Sequence, residues 1–418
     1  MLSWPGTVDL RRLVFPGDTV AWTHGGAEPT ALVGQFLEQA PSFAPVDVFL
    51  TGLGWSDLLQ PHHAEYVRFR GIGGLGTHQH LARAGCLDVV PCRLADLPRL
   101  IASRRLPIDV CFVLGSPPDR DGNVNLGPTV AITHELLGAA RVAVLEINPR
   151  VPAVRGSTTV PLSRFDAVIS ADHPLVEAAP AKAELSPEVA EICEHIAALV
   201  PDGATLQVGI GAIASAIPRY LASRRNLGLH SGLISDSLME LMASGAVTGT
   251  AKEVDPGLAV AGELVGSAAL YRFAATNPAV SLQPTAYLSA ESVLHRFETF
   301  VSINSALEVD LTGQVNAEVQ GGVTVGAIGG QVDFVRAAAR SPHGRSIIAL
   351  PSVTGKGKSR IVAQLDGGTV TTARSEVELV VTEYGVADLA GRSLSQRAAA
   401  LIDVAHPDHR DALRRASA

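Results

Sequence analysis

Between residues 301 and 334 the chain concentrates the residue types that suit ligand binding. The stretch holds Gly321, Gly322, Gly326, Gly329 and Gly330 and closes on Gln331-Val332-Asp333-Phe334. Glycine at that density lets backbone N–H groups come close to a ligand, because no Cβ stands in the way. Asn304, Gln314, Asn316 and Gln331 add short amides with the fixed geometry that orients a polar group. A glycine-rich turn between two strands has the same local pattern, so the stretch alone leaves both readings open. A second candidate is Thr205-Leu206-Gln207-Val208-Gly209-Ile210-Gly211, which reads as a strand running into a helix over 212–222. Glycines at that junction expose N–H groups and the positive end of the helix dipole, which suits a phosphate or carboxylate. Tight strand–helix packing is the competing reading.

Six motifs then occur in order: INSALEVDLTGQVNAE, GGQVDFVR, GRSIIALPS, KSRIV, VTEYGVADL and VAHPDHR. Together they resemble the carboxyl half of the acetyl-CoA hydrolase/transferase family, which includes 4-hydroxybutyrate and acetate CoA-transferases. The resemblance runs through most of the chain and is strongest from about Leu206 onward. It implies an acyl-CoA-utilising enzyme that moves CoA or an acyl group to a small acceptor such as a carboxylic acid. Coenzyme A would be a substrate, no metal would be needed, and the assembly would be a homo-oligomer, a dimer by the family's habit. By the same resemblance Gly209, Ile210, Gly211, Ala212 and Ile213 touch CoA, joined by Asn316, Gly326, Gly329, Gly330 and Gln331. Arg345 stands where family members often place a lysine and would give positive charge to a CoA phosphate.

One position departs from the family. The segment LGLHSGLISD, residues 227–236, resembles the one that carries the family's catalytic glutamate, two residues after the histidine. That carboxylate attacks the thioester, forms a mixed anhydride and then takes CoA as an enzyme-bound thioester. Here the position is Gly232, flanked by His230, Ser231 and Asp236. Glycine has no group that attacks, and neither Asp236 nor Glu240 is placed to replace it. Three readings remain: a CoA-transferase, an acyl-CoA hydrolase or non-covalent acyl transferase with the oxyanion held by N–H groups near Gly329 and Gly330, and an inactive CoA-ester-binding protein or partner subunit.

Other patterns carry less. Gly71-Ile72-Gly73-Gly74-Leu75-Gly76 fits a dinucleotide fingerprint, but Thr77-His78-Gln79-His80 is a poor helix start and the match does not open its domain. His78 and His80 lack a third ligand at a recognised spacing and read as exposed loop residues. Residues 355–359, GKGKS, fail as a P-loop because Ser352 stands where a glycine is required. Lys356, Lys358 and Arg360 line a CoA channel or solvate a loop. The 115–127 loop resembles one bordering the family's active site, and is equally a Pro/Asp/Gly turn. Arg155-Gly156 faces an acidic substrate or solvent.

The elements that must position these residues alternate. Strands are expected at 18–22, 46–50, 66–69, 107–114, 141–147 and 165–169, with a helix over 30–39. The strand–helix pattern restarts after an Ala-, Glu- and Pro-rich connector at 176–188 and a helix over 187–199. The fold class is therefore α/β: two similar open units of the CoA-transferase type with mainly parallel sheets, over 1–185 and 186–418. Ligands in such sheets sit outside the carboxyl ends of the strands. A final strand at 377–382 precedes a helical remainder.

Bulk composition agrees. The 418 residues are 47% hydrophobic but only 5% aromatic, so the core is built of Ala, Val, Leu and Ile. A formal charge of −8 argues against nucleic acid as the main partner. Cys86, Cys92, Cys111 and Cys193 show no CxxC spacing and read as thiols in a reducing compartment. Met1-Leu2-Ser3-Trp4-Pro5 opens without a basic region or long apolar run, so a cytoplasmic protein with no membrane span is expected.

Overall fold

Apolar runs with no polar alternation make central parallel strands, because both faces are covered. Val110–Gly115 (VCFVLG) and Val142–Ile147 (VAVLEI) are of this kind, and every residue of each is buried. They belong to a seven-stranded sheet formed by β1 (Thr19–Trp22), β2 (Val46–Leu50), β3 (Val67–Gly71), β4 (Leu87–Val89), β5 (Val110–Gly115), β6 (Val142–Ile147) and β7 (Ala167–Ser170). Their order is β4-β3-β2-β1-β5-β6-β7, and each neighbouring pair is parallel. Helix α1 (Thr30–Gln39) follows β1 and buries Leu32, Val33 and Phe36. Phe112 of β5 is fully buried, with its ring 6.4 Å from Trp22 and 5.9 Å from Phe36.

A second sheet has six strands: β8 (Thr205–Val208), β9 (Gly228–Leu229), β10 (Phe300–Ser305), β11 (Arg345–Ala349), β12 (Leu379–Thr382) and β13 (Gly385–Asp388). Their order is β9-β8-β10-β11-β12-β13. All pairs are parallel except β12–β13. Helices α2 (Pro187–Leu199), α3 (Ala212–Tyr220), α4 (Asp236–Ala243) and α5 (Gln331–Arg340) accompany the sheet, and α6 (Leu394–Asp403) and α7 (Pro407–Ser417) end the chain.

This computed structural model describes residues 4–178 and 185–417. Residues 1–3 and residues 179–184 of the 176–188 connector lie outside them. The chain forms two compact units. The first comprises Met1–Pro180, Ala261–Tyr287 and Val323–Ala327; the second comprises Ala181–Val260, Leu288–Gly322 and Ile328–Ala418. Residues 261–287 and 323–327 thus pack with the first sheet although they follow residue 185 in sequence. Among the described residues no helix is long and apolar enough to cross a membrane.

Two expectations change. The chain after Thr382 is not helical throughout: Glu383 and Tyr384 turn it back into the antiparallel strand β13 before α6 begins. His78 is not an exposed loop residue but is 5% exposed. Its ring lies over Gly54, where a Cβ would collide with it.

Phe112→Ala removes a ring from the centre of the first core and is expected to cost about 3–5 kcal/mol. Urea unfolding should show a lower midpoint at an unchanged slope.

Candidate functional site

The second sheet gathers its chain ends at one edge. Strands β8 to β12 are parallel, so their carboxyl ends open on the same side. Helix α3 leaves the end of β8, and α5 packs on β10 and β11 before the chain enters β11. The amino termini of both helices therefore lie at that edge.

The turn after β8 is built by exclusion. Gln207, Ser302 and Asn304 are buried and bonded to one another. Ser302 Oγ donates to Gln207 Oε1 at 2.7 Å, Asn304 Nδ2 to Gln207 Oε1 at 3.0 Å and to Ser302 Oγ at 2.8 Å, and Gln207 Nε2 to Asn304 Oδ1 at 3.2 Å. A Cβ on Gly209 would stand 2.9 Å from Asn304 Oδ1. Only glycine lets the strand end beside this network. Gly211 then adopts φ +111°, which L side chains avoid, and caps α3 with no side-chain acceptor. Ile213, Ala216 and Ile217 pin the helix, while Ile210, Gly211 and Ala212 are exposed. The first N–H groups of α3 are thereby presented without a capping side chain, the arrangement an anion needs.

The next strand, β9, leads to His230-Ser231-Gly232. The backbone of His230 bonds Leu206 O at 3.0 Å. Its Nε2 lies 2.9 Å from Leu288 O and must donate there, since a carbonyl only accepts. The ring packs 5.1 Å from Phe297. Burial lowers this imidazole to about 4, so it is neutral. Ser231 is also fully buried: its Oγ donates to Val208 O at 3.1 Å and accepts from Val208 N at 3.3 Å. Both side chains fasten the loop inward. Gly232 is half-buried, and apart from its two chain neighbours no described residue comes within 4 Å of where its Cβ would stand. Beyond it Ser235 caps α4 through Leu238 N at 3.4 Å. Asp236 begins that helix, where the dipole favours an acid.

The remaining expected residues divide. Gly329 (φ +58°) and Gly330 lead into α5, whose first turn starts at Gln331. They therefore lie at the same edge as Gly209–Ile213. Gln331 spends its amide on Thr372 Oγ1 at 3.0 Å. Asn316 is buried and used up locally: its Nδ2 donates to Val319 O at 2.7 Å and its Oδ1 accepts from Glu318 N and Val319 N, each at 3.0 Å. Gly326 belongs to the first compact unit. Arg345 is the first residue of β11, so it sits at the amino end of the sheet, away from the edge that gathers the others.

Two groups were not singled out from the sequence. Lys252 is 4% exposed and donates to Leu229 O at 2.9 Å and Leu258 O at 2.7 Å, tying the end of β9 down. Burial pushes its ammonium down to about 8, against the pull of Asp255 and Glu253. A Cβ on Gly228 would fall 2.5 Å from its stem, so that glycine was a signal for a buried neighbour. Glu383, at the end of β12, accepts from Ser352 N at 2.8 Å and Ser352 Oγ at 2.5 Å. It is four strands from β9, roughly 19 Å at ordinary strand spacing, and so is no stand-in for a carboxylate at residue 232.

Comparison with known proteins follows the same outline. Residues 12–180 match the acetyl-CoA hydrolase/transferase N-terminal domain and residues 266–417 the C-terminal domain. The chain is 38% identical over 397 residues to the 4-hydroxybutyrate coenzyme A transferase of Clostridium kluyveri, covering 94% of this chain and 92% of that one. Its fold is similar to the crystal structure of RipA from Yersinia pestis, with a TM-score of 0.91 and 31% identity over 98% of this chain and 99% of that one. It is also similar to the 4-hydroxybutyrate CoA-transferase structure from Porphyromonas gingivalis, with a TM-score of 0.81 and 32% identity over 97% and 94%.

His230 gives the loop a pH signature. Its folded value, about 4, is below the usual 6.5, so the unfolded chain binds more protons between those values. Stability contributed by this group is complete above pH 6.5 and is lost as pH falls toward 4. His230→Gln should therefore show a shallower loss than the native chain between pH 6.5 and 4 in denaturant melts. Parallel curves would place the group's titration elsewhere.

Proposed function

Because the chain belongs to the acetyl-CoA hydrolase/transferase family, we propose that it transfers CoA between an acyl-CoA and a small carboxylic acid without forming a glutamyl thioester on itself. The observation that carries this reading is the open space at Gly232, at the end of β9. The family resemblance puts a nucleophilic carboxylate there. With the side chain missing, the acceptor acid brings its own carboxylate to the same space.

The chemistry closes without a proton. The acceptor carboxylate oxygen attacks the thioester carbonyl carbon. The C–S bond breaks, sulfur keeps the electron pair, and a mixed anhydride of the two acids forms beside the CoA thiolate. The thiolate then attacks the acceptor's carbonyl carbon in the anhydride. A new thioester forms and the original acid leaves as its carboxylate. We assign the N–H groups at Gly329 and Gly330 to the carbonyl oxygen as it gains charge. The uncapped turn over Gly209–Ile213 is assigned to the phosphates of CoA, whose charge its N–H groups and helix dipole suit. Water attack would instead need a general base beside Gly232, and His230 and Ser231 are both committed inward. We further assign the enzyme to the cytoplasm as a homodimer, without nucleic-acid or membrane partners. Four free cysteines support a reducing compartment, and the formal charge of −8 supports the absence of a nucleic-acid partner.

Acyl-CoA in hundredfold excess over its Kd should stabilise the fold by about 2.7 kcal/mol, read as a raised Tm. Intact-mass measurement should find no CoA or acyl adduct, and initial rates with two varied substrates should intersect as a ternary-complex pattern. An adduct with parallel rate lines would refute the direct route, and a raised Tm with no turnover would leave a binding protein.

The backbone at Gly232 is not in the left-handed region, so an L side chain fits without strain. Gly232→Glu should therefore yield a slow CoA adduct and a shift of the rate pattern toward ping-pong. An attacking atom displaced by about 1 Å can cost roughly a hundredfold in rate, so the gain is expected to be partial. Loss of acyl-CoA affinity with no adduct would mean that the acyl chain itself fills the space.

A further inference from the structure

The turn that leads into α5 has no side chain of its own to hold it. Gly329 and Gly330 stand side by side, and glycine has the most backbone freedom to lose. Gly329 adopts φ +58°, and apart from its chain neighbours no described residue comes within 4 Å of where its Cβ would stand. Farther along, Phe334, Val335 and Ala338 bury the helix, but the end of a helix is where it frays. A turn whose N–H groups must meet one oxygen at a fixed distance needs an anchor from elsewhere.

That anchor is the hydroxyl of Thr372. Gln331, the first residue of α5, donates from its Nε2 to Thr372 Oγ1 at 3.0 Å. Thr372 is fully buried and held by backbone in both directions: Val315 N donates to Thr372 O at 3.0 Å, and Thr372 N donates to Val315 O at 3.2 Å. Its neighbour Thr371 repeats the tie. Thr371 N donates to Val315 O at 2.8 Å, while Thr371 Oγ1 accepts from Ala317 N at 2.9 Å and donates to the buried carboxyl of Glu318 at 2.6 Å. Asn316 closes the same segment by accepting from Glu318 N and Val319 N. The chain over 315–319 is thereby locked, and Thr372 is the point at which the lock reaches α5. All of these residues lie in the second compact unit.

We propose that Thr372 is a positioning residue for CoA transfer: acting through Gln331, it sets where the Gly329–Gly330 turn stands against the thioester. The inference rests on the reading that the N–H groups there hold the carbonyl oxygen as it gains charge, and it adds what aims them. It also gives Gln331 a role that needs no ligand contact, since its amide is committed to its own turn. Valine at residue 372 would fill nearly the same volume but offer no acceptor, so Gln331 would keep its surroundings and lose its anchor. A turn displaced in this way loses more in the transition state than in the ground state, because the donors are aimed at the charged oxygen.

Initial rates of CoA transfer from butyryl-CoA to acetate are measured on the full chain and its variants, and amide hydrogen exchange over residues 328–334 is followed by mass spectrometry. Thr372→Val should lower kcat about ten- to a hundredfold, the range reached when reacting groups are misplaced by up to about 1 Å, with KM for butyryl-CoA within about twofold. Thr372→Ser keeps the acceptor and should restore most of the rate. Gln331→Met should lose as much as Thr372→Val, and the double variant no more than either alone, because both remove one contact. Exchange should quicken in Thr372→Val and Gln331→Met and not in Thr372→Ser. Additive losses in the double variant overturn the proposal. So does an unchanged kcat in a folded Thr372→Val, a loss carried by KM, or a serine variant no better than the valine one. Should Thr372→Val not fold, Gln331→Met, at the half-buried start of the helix, carries the same kcat and exchange test. Equal exchange in native and variant chains overturns the proposal whether or not CoA is transferred. The exchange contrast without turnover by the native chain removes the transfer reading instead and leaves the tie in place.

Discussion

The hydrogen-bonded set of Gln207, Ser302 and Asn304 is the constraint on which the carboxyl edge of the second sheet depends. Three polar side chains between two central strands are costly unless each is paired. Here they pair with one another, and the arrangement leaves no room for a Cβ at residue 209. The strand must therefore end in glycine beside Asn304, and the chain leaves it through a second glycine with φ +111°. The uncapped start of α3 follows from that exit. One polar network thus dictates a glycine, the glycines dictate a turn, and the turn exposes the N–H groups.

The loop at Gly232 is held by a different means. His230 and Ser231 bond backbone through their side chains, at Leu288 O and Val208, and Lys252 clamps the carbonyl of Leu229 just before them. None of these contacts involves a side chain at residue 232. The loop's shape is therefore independent of whether a carboxylate stands there, and glycine can occupy the position without collapse of its surroundings. This separates holding the loop from doing the chemistry. The fold can therefore keep its form with or without a side chain at residue 232.

Much of the architecture was legible in the sequence because central parallel strands are unbroken apolar runs. The strands at Val46–Leu50 and Val142–Ile147 and the helix Thr30–Gln39 stand where the pattern put them. The family motifs named the chemistry, which no periodicity carries. What the sequence hid was partnership. Asn316 reads as a ligand-facing amide but closes its own turn. Arg345 follows a motif yet begins its strand, so strand direction puts it at the other end of the sheet. His78 reads as a loop residue because nothing local shows that Gly54 leaves space for its ring. Gln331 and Thr372 are 41 residues apart, and Thr372 stands in none of the motifs.

The two sheet edges also differ in kind. Around Gly209 and Gly232 the side chains that hold the backbone are amides, hydroxyls and a neutral imidazole, with the ammonium of Lys252, lowered to about 8, behind them. Around Glu28, which follows β1 of the first sheet, the groups are carboxyls and imidazoles, and burial raises its carboxyl to about 7. A polar network of fixed charge state suits a ligand whose phosphates are ionised throughout. A proton-bearing carboxyl presents a hydrogen where an ionised one presents only lone pairs. The Glu28 carboxyl therefore changes charge near neutrality, whereas the amides and hydroxyl beside Gly209 carry no charge to change.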